Sequence, residues 1–147
     1  MSEISFEINA PYILYADDDP DDLYLVNEML KTISPGVVMH GCESGRQAYT
    51  FLESLPAGQP LPGAVILDLN MPDWNGSKTL EAIKQNENYK DIPVIIFTNS
   101  DHPNHKESAF KLGAADFITK PYRKAELTKV CTIIAEYACQ EQRLKIA

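Results

Sequence analysis

Residues 12–33 read YILYADDDPDDLYLVNEMLKTI, and the order of events in this stretch decides the fold. A short run of aromatic and aliphatic residues at 12–16 is followed at once by Asp17, Asp18 and Asp19. Pro20 then opens a segment in which Leu23, Val26, Leu30 and Ile33 step by three, four and three, which puts them on one stripe of a helix. Asp19 followed by Pro20 suits a helix start: the carboxylate can accept orphan N–H groups, and proline at the first position gives up an N–H that would have no partner. An apolar strand that ends in carboxylates and turns directly into an amphipathic helix is one βα unit.

The unit recurs. Short apolar runs stand at 37–42 (VVMHGC), 64–67 (AVIL), 94–97 (VIIF) and 116–118 (DFI). The runs at 64–67 and 94–97 are apolar throughout, as in strands covered on both faces. Ser44 can cap a second helix carrying Ala48, Phe51, Leu52 and Leu55. A third is expected over residues 77–85 with Leu80 and Ile83 inward, and a fourth over 103–112, stopped by Gly113. A fifth starts near Arg123 and repeats the apolar stepping in Leu127, Val130, Ile134 and Tyr137. Five βα units in series predict an α/β fold with a parallel sheet and right-handed crossovers. The loop 56–63 (PAGQPLPG) reads as a connection inside one domain.

Bulk properties narrow the function. With 147 residues and 44% hydrophobic side chains, the chain can build a sizeable core without disulfides or a structural metal. A formal charge of -8 and the lack of a basic stripe argue against nucleic acid, whose binding rests on Lys and Arg neutralising phosphates. No apolar run approaches the ~20 residues that span a bilayer. The start MSEISFEINAP lacks the basic and apolar regions of a secretory signal, so a cytoplasmic location with no membrane partner is expected. Cys42, Cys131 and Cys139 are odd in number, lack metal-type spacing and are expected to be buried or half-buried thiols. The expected partner is another protein.

In a parallel α/β sheet, ligands sit beyond the carboxyl ends of the strands. Asp17-Asp18-Asp19, Asp68, Thr98-Asn99-Ser100 and Thr119-Lys120-Pro121 all follow strands, so all should share one edge. Crowded carboxylates repel one another and favour a hard divalent cation such as Mg²⁺, which prefers oxygen ligands. A carboxylate nucleophile, a cation, a hydroxyl and an ammonium are parts that could draw a phosphoryl group onto a carboxylate. Each residue alone has a plainer reading. Asp19, Asp21 and Asp22 can serve helix capping. Asp68 can be a turn former, Lys120 a solvated surface residue and Thr98 an ordinary strand end. Their joint occurrence at the ends of four strands favours the chemical reading. His102 and His105 could pair on a metal, but their place at a helix start fits solvated polar residues better.

The segments ILYADDDPDD, VILDLNMPDWNG, PVIIFTNS and GAADFITKP resemble, in order and spacing, the receiver domains of two-component response regulators, over about residues 11–140. The resemblance implies a doubly wound, flavodoxin-like (βα)5 domain with strand order 2-1-3-4-5 at residues 11–147, preceded by an N-terminal extension at 1–10. It implies that Asp68 is the phosphoacceptor, and that Asp17, Asp18 and Asp68 with the carbonyl of Asn70 hold Mg²⁺. Thr98 and Lys120 would follow the phosphoryl group, Pro121 would be the cis-prone proline, and Phe117 the aromatic switch position. Met71-Pro72 and Gly76 match the loop after the acceptor. The implied function is a phosphoacceptor signalling domain, not an enzyme with its own substrate, that assists its own phosphorylation and dephosphorylation. The implied partners are a sensor histidine kinase or a phosphotransfer protein, with a possible homodimer through the fourth helix, fifth strand and fifth helix. The stretches after the first and fourth strands resemble single-domain receivers that partner phytochrome-type and other hybrid kinases. Two positions depart from the commonest pattern. Asn99 stands where a small residue is usual and would narrow access to the acceptor, and Phe117 replaces a frequent Tyr and so offers ring packing but no hydroxyl.

Other classes fit less well. A haloacid-dehalogenase-like phosphatase needs a second Asp two residues after the nucleophile, and Asn70 stands there. A nucleotide or flavin carrier wants a phosphate loop after the first strand, where Asp17-Asp18-Asp19 would repel the ligand. A receiver-like adaptor that is never phosphorylated is the remaining alternative. Trp74 is either a partner contact or a cover over the pocket.

Overall fold

The structure is a computed structural model that describes residues 10–140 and 143–146. Ten elements alternate: β1 (Tyr12–Ala16), α1 (Pro20–Ile33), β2 (Val38–Cys42), α2 (Gly45–Ser54), β3 (Ala64–Leu67), α3 (Gly76–Gln85), β4 (Val94–Thr98), α4 (Pro103–Lys111), β5 (Asp116–Thr119) and α5 (Lys124–Ala138). The five strands form one parallel sheet in the order β2-β1-β3-β4-β5. This is the doubly wound, flavodoxin-like arrangement. The extension expected at 1–10 lies outside the described residues apart from Ala10.

Alternation along the strands sorts the core into two layers. Ile13, Tyr15, Ile66, Ile95 and Phe97 face α1 and α5, where they meet Val26, Leu30, Cys131 and Ile134. Leu14, Val65, Leu67, Ile96 and Phe117 face the other way, onto Ala48, Leu52, Leu80 and Ile83 of α2 and α3. The central strands β1, β3 and β4 are buried throughout, as their unbroken apolar runs require. Edge strand β2 is largely exposed.

Local chemistry sets the boundaries. Asp19 caps α1 by accepting the Asp21 N–H, Ser44 caps α2 through Gln47, and Asn75 caps α3 through Lys78, which starts α3 at Gly76 rather than at residue 77. The Val37 N–H donates to Ser34 in a turn, so the second strand begins at Val38. Leu112 lies past the end of α4, and Gly113 follows in the left-handed region at φ 106°. After α5 the chain folds back: Arg143 and Lys145 exchange backbone hydrogen bonds with Gly58, Gln59 and Leu61. The Lys145 ammonium donates to the Leu52 and Glu53 carbonyls at the end of α2, 2.9 and 3.1 Å away. That helix has no basic residue in its own last turn, so a cation from the far end of the chain satisfies its carbonyls.

Two expectations need correction. Cys42 and Cys131 are buried, but Cys139 is exposed, because it sits just past the last turn of α5. No peptide bond among the described residues is cis, so the cis form expected at Pro121 is not adopted.

Candidate functional site

The parallel sheet brings the strand-end residues to one edge. The Asp17 N–H donates to Cys42 of β2 and the Asp68 N–H to Ala16 of β1, which carries the strand ladders one step past their ends and fixes both carboxylates. Carboxylate oxygens of Asp17, Asp18 and Asp68 lie within 4.8 Å of one another. Asp17 and Asp68 are buried, while Asp18 is exposed. Asn70 follows in the loop, its N–H 3.3 Å from Asp68 Oδ1. An all-oxygen donor set with one open side suits a hard divalent cation. The cluster could hold such an ion.

Lys120 reaches into the cluster from the end of β5. Its ammonium donates to Asp17 Oδ2 at 2.7 Å, Asp22 Oδ2 at 2.7 Å and Asp68 Oδ2 at 2.9 Å. Those are all the donors an ammonium has. Its backbone N–H bonds the Thr98 carbonyl at 2.7 Å, which stitches the ends of β4 and β5 together. Burial works against the charge on Lys120, but the hydrogen bonds it donates to Asp17, Asp22 and Asp68 outweigh it and push its pKa up. Asp17 also shifts up, because burial outweighs the hydrogen bonds it receives from Lys120, Tyr15 and the Asp19 N–H. The two shifts have different causes: burial lifts Asp17, whereas the carboxylates around Lys120 lift the ammonium.

Thr98 is fully buried at the end of β4. In the register Ile96 pairs with Phe117 and Thr98 with Thr119, so Thr98 lies on the sheet face of Phe117, one step nearer the carboxyl edge. The Phe117 ring is already buried. Asn99, the next residue after Thr98, is exposed. In the loop after β3, Asp73 and Trp74 both take left-handed backbone angles, φ 51° and 77°. Their carbonyls accept the first N–H groups of α2, from Arg46 and Gly45, and the Asp73 carboxylate pairs with Arg46 at 2.9 Å. The Trp74 ring leans on Tyr49 of α2, 5.4 Å between centroids, with the Arg46 and Lys78 cations near it. Trp74 therefore ties the loop after β3 to α2.

A sequence model of the response regulator receiver domain matches residues 13–132. The chain belongs to this family. Response regulator Rcp1 of Synechocystis sp. is 32% identical over 130 residues, covering 86% of this chain and 88% of Rcp1. The crystal structure of the Mn²⁺-bound form of Rcp1 matches with a TM-score of 0.77 at 30% identity, over 91% of this chain and 98% of that one. Two-component response regulator ORR5 of Oryza sativa subsp. japonica is 27% identical over 123 residues, 84% of this chain and 87% of ORR5. The phosphorylated cyanobacterial phytochrome response regulator RcpA shares the fold, with a TM-score of 0.78 at 24% identity over 91% of this chain and 97% of RcpA.

Two residues of the receiver site escape a reading by strand ends alone. Tyr15, fully buried in β1, donates its hydroxyl to Asp17 Oδ2 at 2.6 Å. Burial and then the neighbouring Asp17 charge push its pKa far up, so it remains a donor. Its signal was the strand period, which puts residues 15 and 17 on one face. Asp22 is the other: the first turn of α1 carries it to Lys120, although helix capping accounts for an acidic residue there equally well. His102 and His105 serve the start of α4. His102 Nδ1 accepts the Asn104 N–H, and His105 Nδ1 lies 2.6 Å from Ser100 Oγ. Among the described residues, the three-carboxylate cluster is the group placed to hold a metal.

Proposed function

We propose that this receiver accepts a phosphoryl group on Asp68 from a sensor histidine kinase or a phosphotransfer protein, and that the change is carried to the face formed by α4, β5 and α5. The observation behind this reading is the position of the Asp68 carboxylate: beyond β3, beside Asp17 and Asp18, and bonded to the Lys120 ammonium at 2.9 Å. The Asp68 carboxylate oxygen would attack phosphorus, and the P–N bond of the donor phosphohistidine would break with its electron pair returning to the imidazole. Asp17, Asp18, Asp68 and the Asn70 carbonyl are the groups that would hold Mg²⁺, which when bound offsets the charge gathered on the phosphoryl oxygens. The Mn²⁺-bound form of Rcp1 supports a divalent ion in this family. Tyr15 and the Asp19 N–H orient Asp17. Lys120 supplies positive charge from the side of β5.

Phosphorylation adds about two negative charges to Asp68. The Thr98 hydroxyl can donate to the new oxygens and draw the end of β4 inward. Phe117 shares the face of Thr98 and is already buried, so the response there is repacking of a buried ring rather than its withdrawal from water. The α4–β5–α5 face would then recruit a partner or a second copy of the chain. Incubation with acetyl phosphate and Mg²⁺ followed by intact mass tests the reading. Wild type should gain one phosphoryl group and Asp68→Asn none. A gain that persists in Asp68→Asn moves the acceptor elsewhere, and no gain in wild type supports an unphosphorylated adaptor.

A further inference from the structure

We infer that Asp22 is a positioning residue that competes with the phosphoryl group for Lys120, and so sets how firmly the phosphorylated state is held. This rests on the reading of Asp68 as phosphoacceptor. All three ammonium protons of Lys120 are in use, on Asp17, Asp22 and Asp68. To bond a phosphoryl oxygen, the ammonium must give one of them up.

The three carboxylates are not equivalent. Asp17 has 0% of its side chain exposed, and it is also held by Tyr15 and the Asp19 N–H. Asp68, at 9%, would carry the new group itself. The Asp22 side chain is 26% exposed and its carboxylate accepts no other hydrogen bond among the described residues. Water can therefore replace Lys120 on Asp22 at the least cost, and the first turn of α1 still favours its charge when the lysine leaves. Asp22 is the contact that Lys120 surrenders. Until then it draws the ammonium toward α1, and its own charge opposes added negative charge at Asp68. Both effects act in the same direction.

Removing the Asp22 charge should thus strengthen binding of a phosphoryl mimic. Damage to the site would weaken it, so the sign of the change separates the two. The test is calorimetric titration of the full chain with beryllofluoride in excess Mg²⁺. Asp22→Asn should bind about three- to fivefold more tightly than wild type, the scale of a partly exposed ion pair. Asp22→Glu, which restores the charge, should return close to wild type. Glu87→Gln, which removes an exposed charge paired with Lys90 beyond the far end of α3, should change nothing. Unchanged or weaker binding by Asp22→Asn, or equal tightening by Glu87→Gln, overturns the inference. Absence of binding by wild type instead overturns the phosphoacceptor reading on which it stands.

Discussion

Replacing Lys120 by Met keeps most of the aliphatic stem and removes the charge together with its three N–H donors, so its effect isolates what the ammonium does for the fold. The Lys120 side chain is 7% exposed, and two of its carboxylate partners are buried with it. Breaking a buried ion pair by removing one member costs about 3–5 kcal/mol, because the other charge is left uncompensated. The contact to the partly exposed Asp22 adds about 1 kcal/mol at most. Some of the loss is recovered when Asp17, which burial already favours in its neutral form, takes up a proton or water enters, so a loss of about 3–4 kcal/mol is expected near neutral pH. That is a large part of the roughly 5–15 kcal/mol that holds a domain together. Urea unfolding followed by far-ultraviolet circular dichroism, in chelator to remove divalent ions, measures it directly. Adding Mg²⁺ should then stabilise Lys120→Met more than wild type, because the cation takes over the missing positive charge. A loss below about 1 kcal/mol would show that the three contacts to Lys120 are not a stabilising charge cluster. An equal Mg²⁺ gain in both proteins would show that ion and ammonium do not act on the same carboxylates.

Thr98→Ala should still take up phosphate on Asp68, yet lose most of the phosphorylation-dependent change in amide exchange over residues 103–130; a response as strong as wild type removes Thr98 from the relay. Burial raises the Cys42 thiol to about 12 and the Cys131 thiol to about 11, while Cys139 is exposed, so one thiol should react with a disulfide reagent at neutral pH and three after unfolding. Both buried thiols stay protonated in the fold while unfolded thiols ionise near 8.5, so stability should fall as pH rises through that value, and less steeply in Cys42→Ala. Gly76→Ala should destabilise the protein by about 1–3 kcal/mol and shift the amide resonances of residues 68–70, because the added Cβ would meet the Asp68 carbonyl and come 2.9 Å from Leu69 Cα; unchanged stability and shifts would show that the loop yields without strain.

The fold was legible because its signals are local and repeated. Apolar runs at 64–67 and 94–97 are too short for helices and fit strands covered on both faces, and Asp19-Pro20 and Gly113 mark helix ends by their own chemistry. The strand-end residues Asp17, Asp68, Thr98 and Lys120 were legible for the same reason, since a parallel sheet sends them all to one edge. Asp22 was not, because an acidic residue in a first helical turn is explained by the helix alone, and only the approach of β5 shows that it also serves Lys120. Trp74 stayed undecided in the sequence, because its direction depends on the left-handed backbone at residues 73 and 74, which neither Asp nor Trp signals strongly. The burial expected of Cys139 fails because the general tendency of free Cys to be buried says nothing about where the last turn of α5 leaves the core.

The returning tail gives the molecule two opposite poles. Arg143 and Lys145 lie against residues 58–61, which enter β3 at its amino end, whereas Asp68 leaves β3 at its carboxyl end. The four residues between, at about 3.3 Å each, keep these ends at least roughly 13 Å apart along the strand. A dye, bead or sensor surface coupled to a cysteine placed at residue 146 (Ile146→Cys), an exposed position, would therefore stand at the amino-end edge of the sheet, away from the edge that carries Asp68. The same attachment made at residue 145 would pull its ammonium off the α2 carbonyls, so a useful tether begins one residue later.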